Sequence, residues 1–130
     1  MWQEWFFAYL IQKDHQADRR AMNGYDVIKI AVENNSRLAT QTWEGLRIGK
    51  IEKGAAADLI LVDYHPITPL NTGNLPWHIL FGFRDGMVTS TIAGGKLLMK
   101  DRKLLLLDEV EIAAKAREAA MRCWNRVNSY

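Results

Sequence analysis

The stretch Gly49–Asp63, GKIEKGAAADLILVD, decides how this chain is read. It sets a short, charged, glycine-bounded segment directly before an apolar run with an aspartate at each end. One reading is a β-hairpin that ends in a buried strand. The other is a carboxylate pair, Asp58 and Asp63, built for chemistry. Side chains alternate between the two faces of a strand, so an odd offset sends these carboxylates to opposite sides. They cannot meet on one metal or one substrate through this strand alone. The structural reading is the stronger one. Each aspartate ends the strand Leu59–Val62 and accepts turn N–H groups, and Gly54 offers the turn a positive φ. Asp58 is expected to be structural and Ala57 packed. An unbroken apolar run of strand length suits a strand buried on both faces.

Toward the N-terminus, Trp2, Trp5, Phe6, Tyr9 and Leu10 recur at helical spacing and predict a helix over 2–13. No Ser, Thr, Asp or Asn precedes it as a cap, so the chain reads as starting inside an element. A second helical pattern covers 24–34 through Val27, Ile28, Ala31 and Val32, and Ser36 is placed to cap a short third helix to Thr42. Toward the C-terminus, residues 66–76 carry all 3 prolines with Asn71, Gly73 and Asn74 and read as a loop. Trp77–Phe83 reads as one or two helical turns. Met87–Ala93 alternates, and Gly94-Gly95 turns it into Lys96–Met99, a hairpin signal. Lys100–Lys103 turns the chain again into Leu104–Leu107. The last helix is the clearest, with Asp108 as N-cap and Glu111 completing a capping box. Its apolar face comprises Val110, Ala113, Ala114, Ala120, Met121, Trp124 and Val127. Acids lead it and Lys115, Arg117, Arg122 and Arg126 follow, as the helix dipole prefers.

The chain has 130 residues, of which 48% are hydrophobic and 25% charged, the proportions of a globular domain. A domain of this size buries roughly two thirds of its unfolded surface. The 17 basic residues nearly balance 15 acidic ones and are scattered. That balance points away from a nucleic-acid or membrane surface. No apolar run approaches the roughly 18 residues that span a bilayer, and Trp5–Ile11 has neither a basic leader nor a cleavage site. A lone cysteine, Cys123, fits a reducing compartment and a cytoplasmic setting.

The remaining candidates for chemistry are thin. His15, His65 and His78 form no His-x-His and no pair four apart, whereas zinc needs three or four converging ligands. His78, beside Trp77, is expected to satisfy a backbone carbonyl. Cys123 is expected to be a buried, inert thiol. Ala93-Gly94-Gly95-Lys96 lacks the spacing of a phosphate loop and sits between strands. No catalytic, cofactor-binding or metal residue emerges from the sequence.

IGKIEKGAAADLILVDYHPITPL, over 48–70, resembles the segment where enzymes of the amidohydrolase superfamily leave their barrel and re-enter a small β-sandwich. Gly49, Ile51, Gly54, Ala57, Asp58 and Leu59 carry the match. NLPWHILFG and MVTSTIAGGKLLMKDRKLLLLDEVEI resemble the ending of the chlorohydrolase and cytosine-deaminase-like branch, which holds putative aminohydrolases. AVENNSRLAT resembles the helix under the last barrel strand. The resemblance implies an α+β fragment. Residues 1–48 would be the last helices of an incomplete (β/α)8 barrel, 49–107 part of a composite β-sandwich with a loop and short helix at 66–83, and 108–130 a C-terminal helix. A whole barrel takes about 250 residues. It also implies the C-terminal portion of a metal-dependent aminohydrolase or chlorohydrolase, using zinc or iron in the full-length family. The family's metal-binding histidines have no counterpart here, and its eighth-strand aspartate would fall upstream of Met1. The first turn of the helix at Trp2 would then lie nearest the active site. The alternative is a self-standing, non-enzymatic scaffold or assembly module. Expected partners are a second copy or the missing N-terminal barrel portion, with helix 2–13 or the 87–107 hairpins at the interface.

Overall fold

The computed structural model describes residues 1–43 and 45–129. Tyr130, the last residue of the expected 108–130 segment, and Glu44, within 1–48, lie outside the described residues. Helices α1 (Trp2–Gln16), α2 (Gly24–Ile28) and α3 (Asn35–Thr42) are followed by strand β1 (Leu59–Val62) and helix α4 (Leu75–Gly82). Strands β2 (Val88–Ala93), β3 (Lys96–Lys100) and β4 (Lys103–Leu104) complete an antiparallel sheet of order β1-β2-β3-β4, and helix α5 (Glu109–Val127) ends the chain.

The expected helix at 2–13 runs three residues further and ends at Ala17, a left-handed cap with φ 49° whose N–H donates to the Lys13 and Asp14 carbonyls. The second helix opens on a reciprocal capping box that the sequence reading overlooked. The Asn23 side chain accepts from the N–H groups of Tyr25 and Asp26, and the Asp26 carboxylate accepts from the Asn23 N–H. The break expected at Ser36 does not occur. Lys29–Asn34 continues as a π-helical segment straight into α3, so Ser36 lies inside a helix and caps nothing. The helical backbone already satisfies the N–H groups that a cap would serve.

The core sits where α1, α2 and α4 meet. Trp2, Val27 and Leu80 are its buried apolar residues. Gly24 makes that approach feasible. A Cβ there would lie 3.1 Å from the Trp77 ring and 3.2 Å from Pro76. α4 provides the partner surface for the aromatic stripe on α1. Trp2 meets Phe83 edge-on at 5.1 Å, Phe6 meets Phe81 at 5.7 Å, and Tyr9 meets Phe81 at 5.5 Å. Such pairs each contribute about 0.5–1.5 kcal/mol beyond their buried area. The opposite flank of α1, with Phe7, Leu10 and Ile11, stays exposed.

The sheet follows the expected hairpins in outline. Gly94 (φ 54°) and Gly95 (φ 76°) form the β2–β3 turn, a backbone that glycine adopts without strain. Two expectations for strands fail. Leu59–Val62 is not buried on both faces: it pairs on one side only, with β2, and leaves Ile60 48% and Leu61 57% exposed. Leu104–Leu107 is not a full strand, because pairing with β3 stops at Leu104. The segment 49–58 is not a hairpin arm either. It is a coiled loop tied down by Arg47, whose carbonyl accepts from the Ala56 N–H at 2.7 Å and whose guanidinium donates to the Lys53 carbonyl at 3.2 Å. Ala57, expected to be packed, is exposed.

α5 is capped by Asp108, whose carboxylate accepts from the Val110 and Glu111 N–H groups. The reciprocal half of the expected box is absent because Glu111 turns to Lys115 instead. Of Glu109–Val127 only Ala114 is even half-buried. Cys123, expected to be buried, is therefore exposed. The chain as a whole exposes 10394 Å², whereas a self-contained monomer of its mass exposes roughly 7,000 Å².

Candidate functional site

Three constellations bear on function, the first of them around a cavity. The cavity, about 390 Å³, lies where the first turn of α1 meets the end of α4. Trp2, Phe6, Phe81 and Phe83 form its apolar wall, and Gln3 and Asp85 add polar groups. Arg84 at its rim is already occupied, its Nη1 donating to the carbonyls of Phe81 (3.2 Å) and Phe83 (2.7 Å). The guanidinium thus satisfies the free carbonyls at the end of α4. This arrangement can hold a flat apolar group. It offers no histidine, cysteine or serine as nucleophile or base.

The second constellation joins the 63–74 loop to α4. Tyr64 Oη and His78 Nδ1 share a hydrogen bond at 2.7 Å, and His78 Nε2 and Thr68 Oγ1 share one at 3.4 Å. His78 therefore serves two hydroxyls rather than the backbone carbonyl expected for it. A loop tyrosine 14 residues away outcompetes local backbone groups because the helix already uses them. The bond holds the Tyr64 ring against Phe83, with centroids 4.8 Å apart, and continues the aromatic wall of the cavity.

The third answers the question of the two aspartates. Asp58 Oδ1 accepts from the Gly94 N–H at 2.6 Å and the Ala57 carbonyl accepts from Gly95 at 3.0 Å, so Asp58 clamps the β2–β3 turn. This is the turn-capping role read from the sequence, played on a turn 36 residues away. Asp63 does something else. It meets Arg102 Nη2 at 3.2 Å and His65 Nε2 at 2.9 Å instead of turn N–H groups. Arg102, then His65, holds the Asp63 carboxyl below its ordinary value. Arg102 sits at φ 63° in the β3–β4 turn, where its N–H donates to the Thr89 carbonyl and its Nε to the Gly86 carbonyl. Nothing local in the sequence announced Arg102, because its partners come from two segments distant from it, Asp63 and the Gly86–Thr89 stretch.

His15 lies exposed near the end of α1. Among the described residues no group of three or more His, Cys, Asp or Glu side chains is placed to hold a metal ion. The individual contacts explain why: His78 is held between two hydroxyls, His65 lies on Asp63, and Asp58 is spent on backbone. These residues do not fit the zinc or iron that the family resemblance implies. No helix among them is long and apolar enough to cross a membrane.

No family model matches the chain. Curated relatives do. It is 31% identical to a 5-methylthioadenosine/S-adenosylhomocysteine deaminase of Aquifex aeolicus, over 90% of this chain and 26% of that protein. It is 30% identical to a 5'-deoxyadenosine deaminase of Methanosarcina barkeri, over 99% of this chain and 29% of that protein. The chain is thus similar to a segment of deaminases of the amidohydrolase type. It spans between a quarter and a third of the length of these relatives. A zinc-bound adenosine deaminase from Xanthomonas campestris superposes with a TM-score of 0.77 at 24% identity, over 94% of this chain and 27% of that one. This likeness shows that the α+β arrangement of helices and four-stranded sheet matches a segment of the deaminase fold.

Proposed function

We propose that the chain is the C-terminal portion of a metal-dependent aminohydrolase that hydrolytically deaminates an adenosine-type compound. The observation that carries this reading is the match along 90% and 99% of the chain to relatives named as such deaminases. Deamination is preferred to dechlorination for the same reason. In this reading α1–α3 are the last helices of a barrel, the sheet is part of the small sandwich, and the family metal is held by residues of the N-terminal portion. The residues here do not fit that metal, so no step is routed through it. The chain's own part is to position. The first turn of α1 and the aromatic cavity beside it are set against α4, which is in turn fixed to the sheet through Tyr64 and His78. The proposed setting is cytoplasmic.

The test is complementation. The Aquifex aeolicus enzyme lacking its matching segment is co-expressed with this chain, and ammonia release from 5-methylthioadenosine and 5'-deoxyadenosine is measured with zinc supplied. Zinc-dependent release that requires both pieces is expected. A stable complex without turnover, or no complex at all, would overturn the proposal.

A further inference from the structure

Phe81 and Phe83 both meet α1, but they are held differently. Phe81 lies within α4 and takes its place from the helix, where it meets Phe6 and Tyr9. Phe83 lies one residue past the end of α4, in extended backbone with φ -72° and ψ 142°. Its N–H donates to the His78 carbonyl at 3.2 Å, and its own carbonyl accepts from Arg84. Neither bond fixes its ring. The ring is held between two others, with centroids 4.8 Å from Tyr64 and 5.1 Å from Trp2. Tyr64 is in turn held by its 2.7 Å hydrogen bond to His78 Nδ1. Gly82 makes room for it. A Cβ there would run into the Tyr64 hydroxyl and lie 2.8 Å from its Cζ.

We propose that His78 and Tyr64 are positioning residues: through Phe83 they set the seating of Trp2, and with it the first turn of α1. That turn has little else to hold it. α1 has no side-chain cap at its start, and the first N–H groups of a helix find no partner within it. Its placement therefore rests on packing, and Trp2 is the buried residue of α1. Phe6 and Tyr9, on the next two turns, reach α4 through Phe81 and not through Phe83. The Tyr64–His78 bond therefore acts on the first turn and leaves the later ones alone. The pair also suits a fixed support. It is half-buried, and a half-buried polar group that loses its partner is costly, so both groups keep to one arrangement.

The consequence for catalysis rests on the functional reading above, in which the metal-bearing portion precedes α1 and meets it at its first turn. Seating that turn then fixes where the two portions join. A misplacement of about 1 Å away from the chemistry costs up to about a hundredfold in rate. Binding contacts that the other portion makes with substrate are left as they are. The loss therefore falls on kcat and not on KM.

The test labels the whole chain with 5-fluorotryptophan, which gives a fluorine signal for each of its 5 tryptophans, Trp2 being assigned by Trp2→Phe. Tyr64→Phe and His78→Leu are expected to move the Trp2 signal and leave those of Trp43 and Trp124 in place. His78→Asn, which keeps an acceptor where Nδ1 lies, is expected to restore most of it. Gly82→Ala keeps both polar groups and favours the helix, yet is expected to move Trp2 as Tyr64→Phe does. In a Phe83→Leu background the effect of Tyr64→Phe is expected to vanish. A Trp2 signal indifferent to Tyr64→Phe and Gly82→Ala would overturn the proposal. So would one moved as far by Asp58→Ala, which loosens only the β2–β3 turn, or a Tyr64→Phe effect that survives Phe83→Leu. In the two-piece deaminase, Tyr64→Phe is expected to lower kcat about tenfold with KM within about twofold of the parent pair, and His78→Asn to lose much less than His78→Leu. An unchanged kcat, or a change in KM alone, would also overturn it. An inactive parent pair would sink the deaminase reading, while the Trp2 signals would still decide the coupling.

Discussion

The α1–α4 junction and α5 use similar material to opposite effect. Both present tryptophan on a helical face at regular spacing. At the junction Trp2 is 8% exposed, whereas Trp124 on α5 is 64% exposed. The difference lies in what the chain brings back to each helix. A loop rich in proline and asparagine returns α4 across α1, and Gly24 lets it approach. Among the described residues no other element packs substantially across α5. Amphipathic spacing announces that a helix has a buried side; it does not say which chain does the burying.

The sharpest way to break this comparison is to remove an equivalent amount of side chain from each region. Leu80→Ala, at a residue 3% exposed, is expected to cost about 2–4 kcal/mol. Met121→Ala on α5, at a residue 60% exposed, should stay within about 0.5 kcal/mol. Chemical denaturation followed by tryptophan fluorescence measures both. Equal losses would mean that α5 is packed against the body in solution.

A smaller effect separates the two ends of β1. Asp58→Ala removes the carboxylate that holds the Gly94 N–H at 2.6 Å and is expected to cost about 1–2 kcal/mol in a thermal melt. An unchanged melt would show that the β2–β3 turn holds itself.

The smallest effect is at Asp63. Its carboxyl is held below the ordinary value of 3.8, first by Arg102 and then by His65. A depressed folded value contributes stability above the unfolded value, and that contribution is lost as pH falls through the folded value. The contribution is therefore present at neutral pH and fades only in acid below about pH 4. Since the pair is exposed, the effect on stability is slight. Carbon NMR of the carboxyl group should show Asp63 titrating closer to 3.8 in Arg102→Gln than in the parent chain. An unmoved titration would assign the shift elsewhere.

Much of the local structure was legible before any coordinates. The Asp108 cap, the Gly94-Gly95 turn and the start of α1 follow from short-range rules, because their hydrogen bonds close within a few residues. The misreadings share a different cause. Ser36 looked like a cap because caps and helix interiors use the same residue types when the flanking pattern is weak. Cys123 and the strand Leu59–Val62 looked buried because apolar neighbours usually mean burial. The partners of His78, Tyr64 and Thr68, come from a loop whose path no periodicity describes.

By itself, the sequence determined the first and last helices, the β2–β3 hairpin and the resemblance to the amidohydrolases. These depend on backbone geometry and on patterns a few residues long. Only the tertiary structure decided which apolar faces are covered: that α4 closes over α1, that β1 is an edge, and that α5 stands uncovered. It also decided that Asp58 serves a turn while Asp63 serves Arg102. The physical reason is that burial and ion pairing belong to pairs of segments distant in sequence. A side chain's neighbours across the chain are set by how loops return, and composition and spacing carry no record of that path.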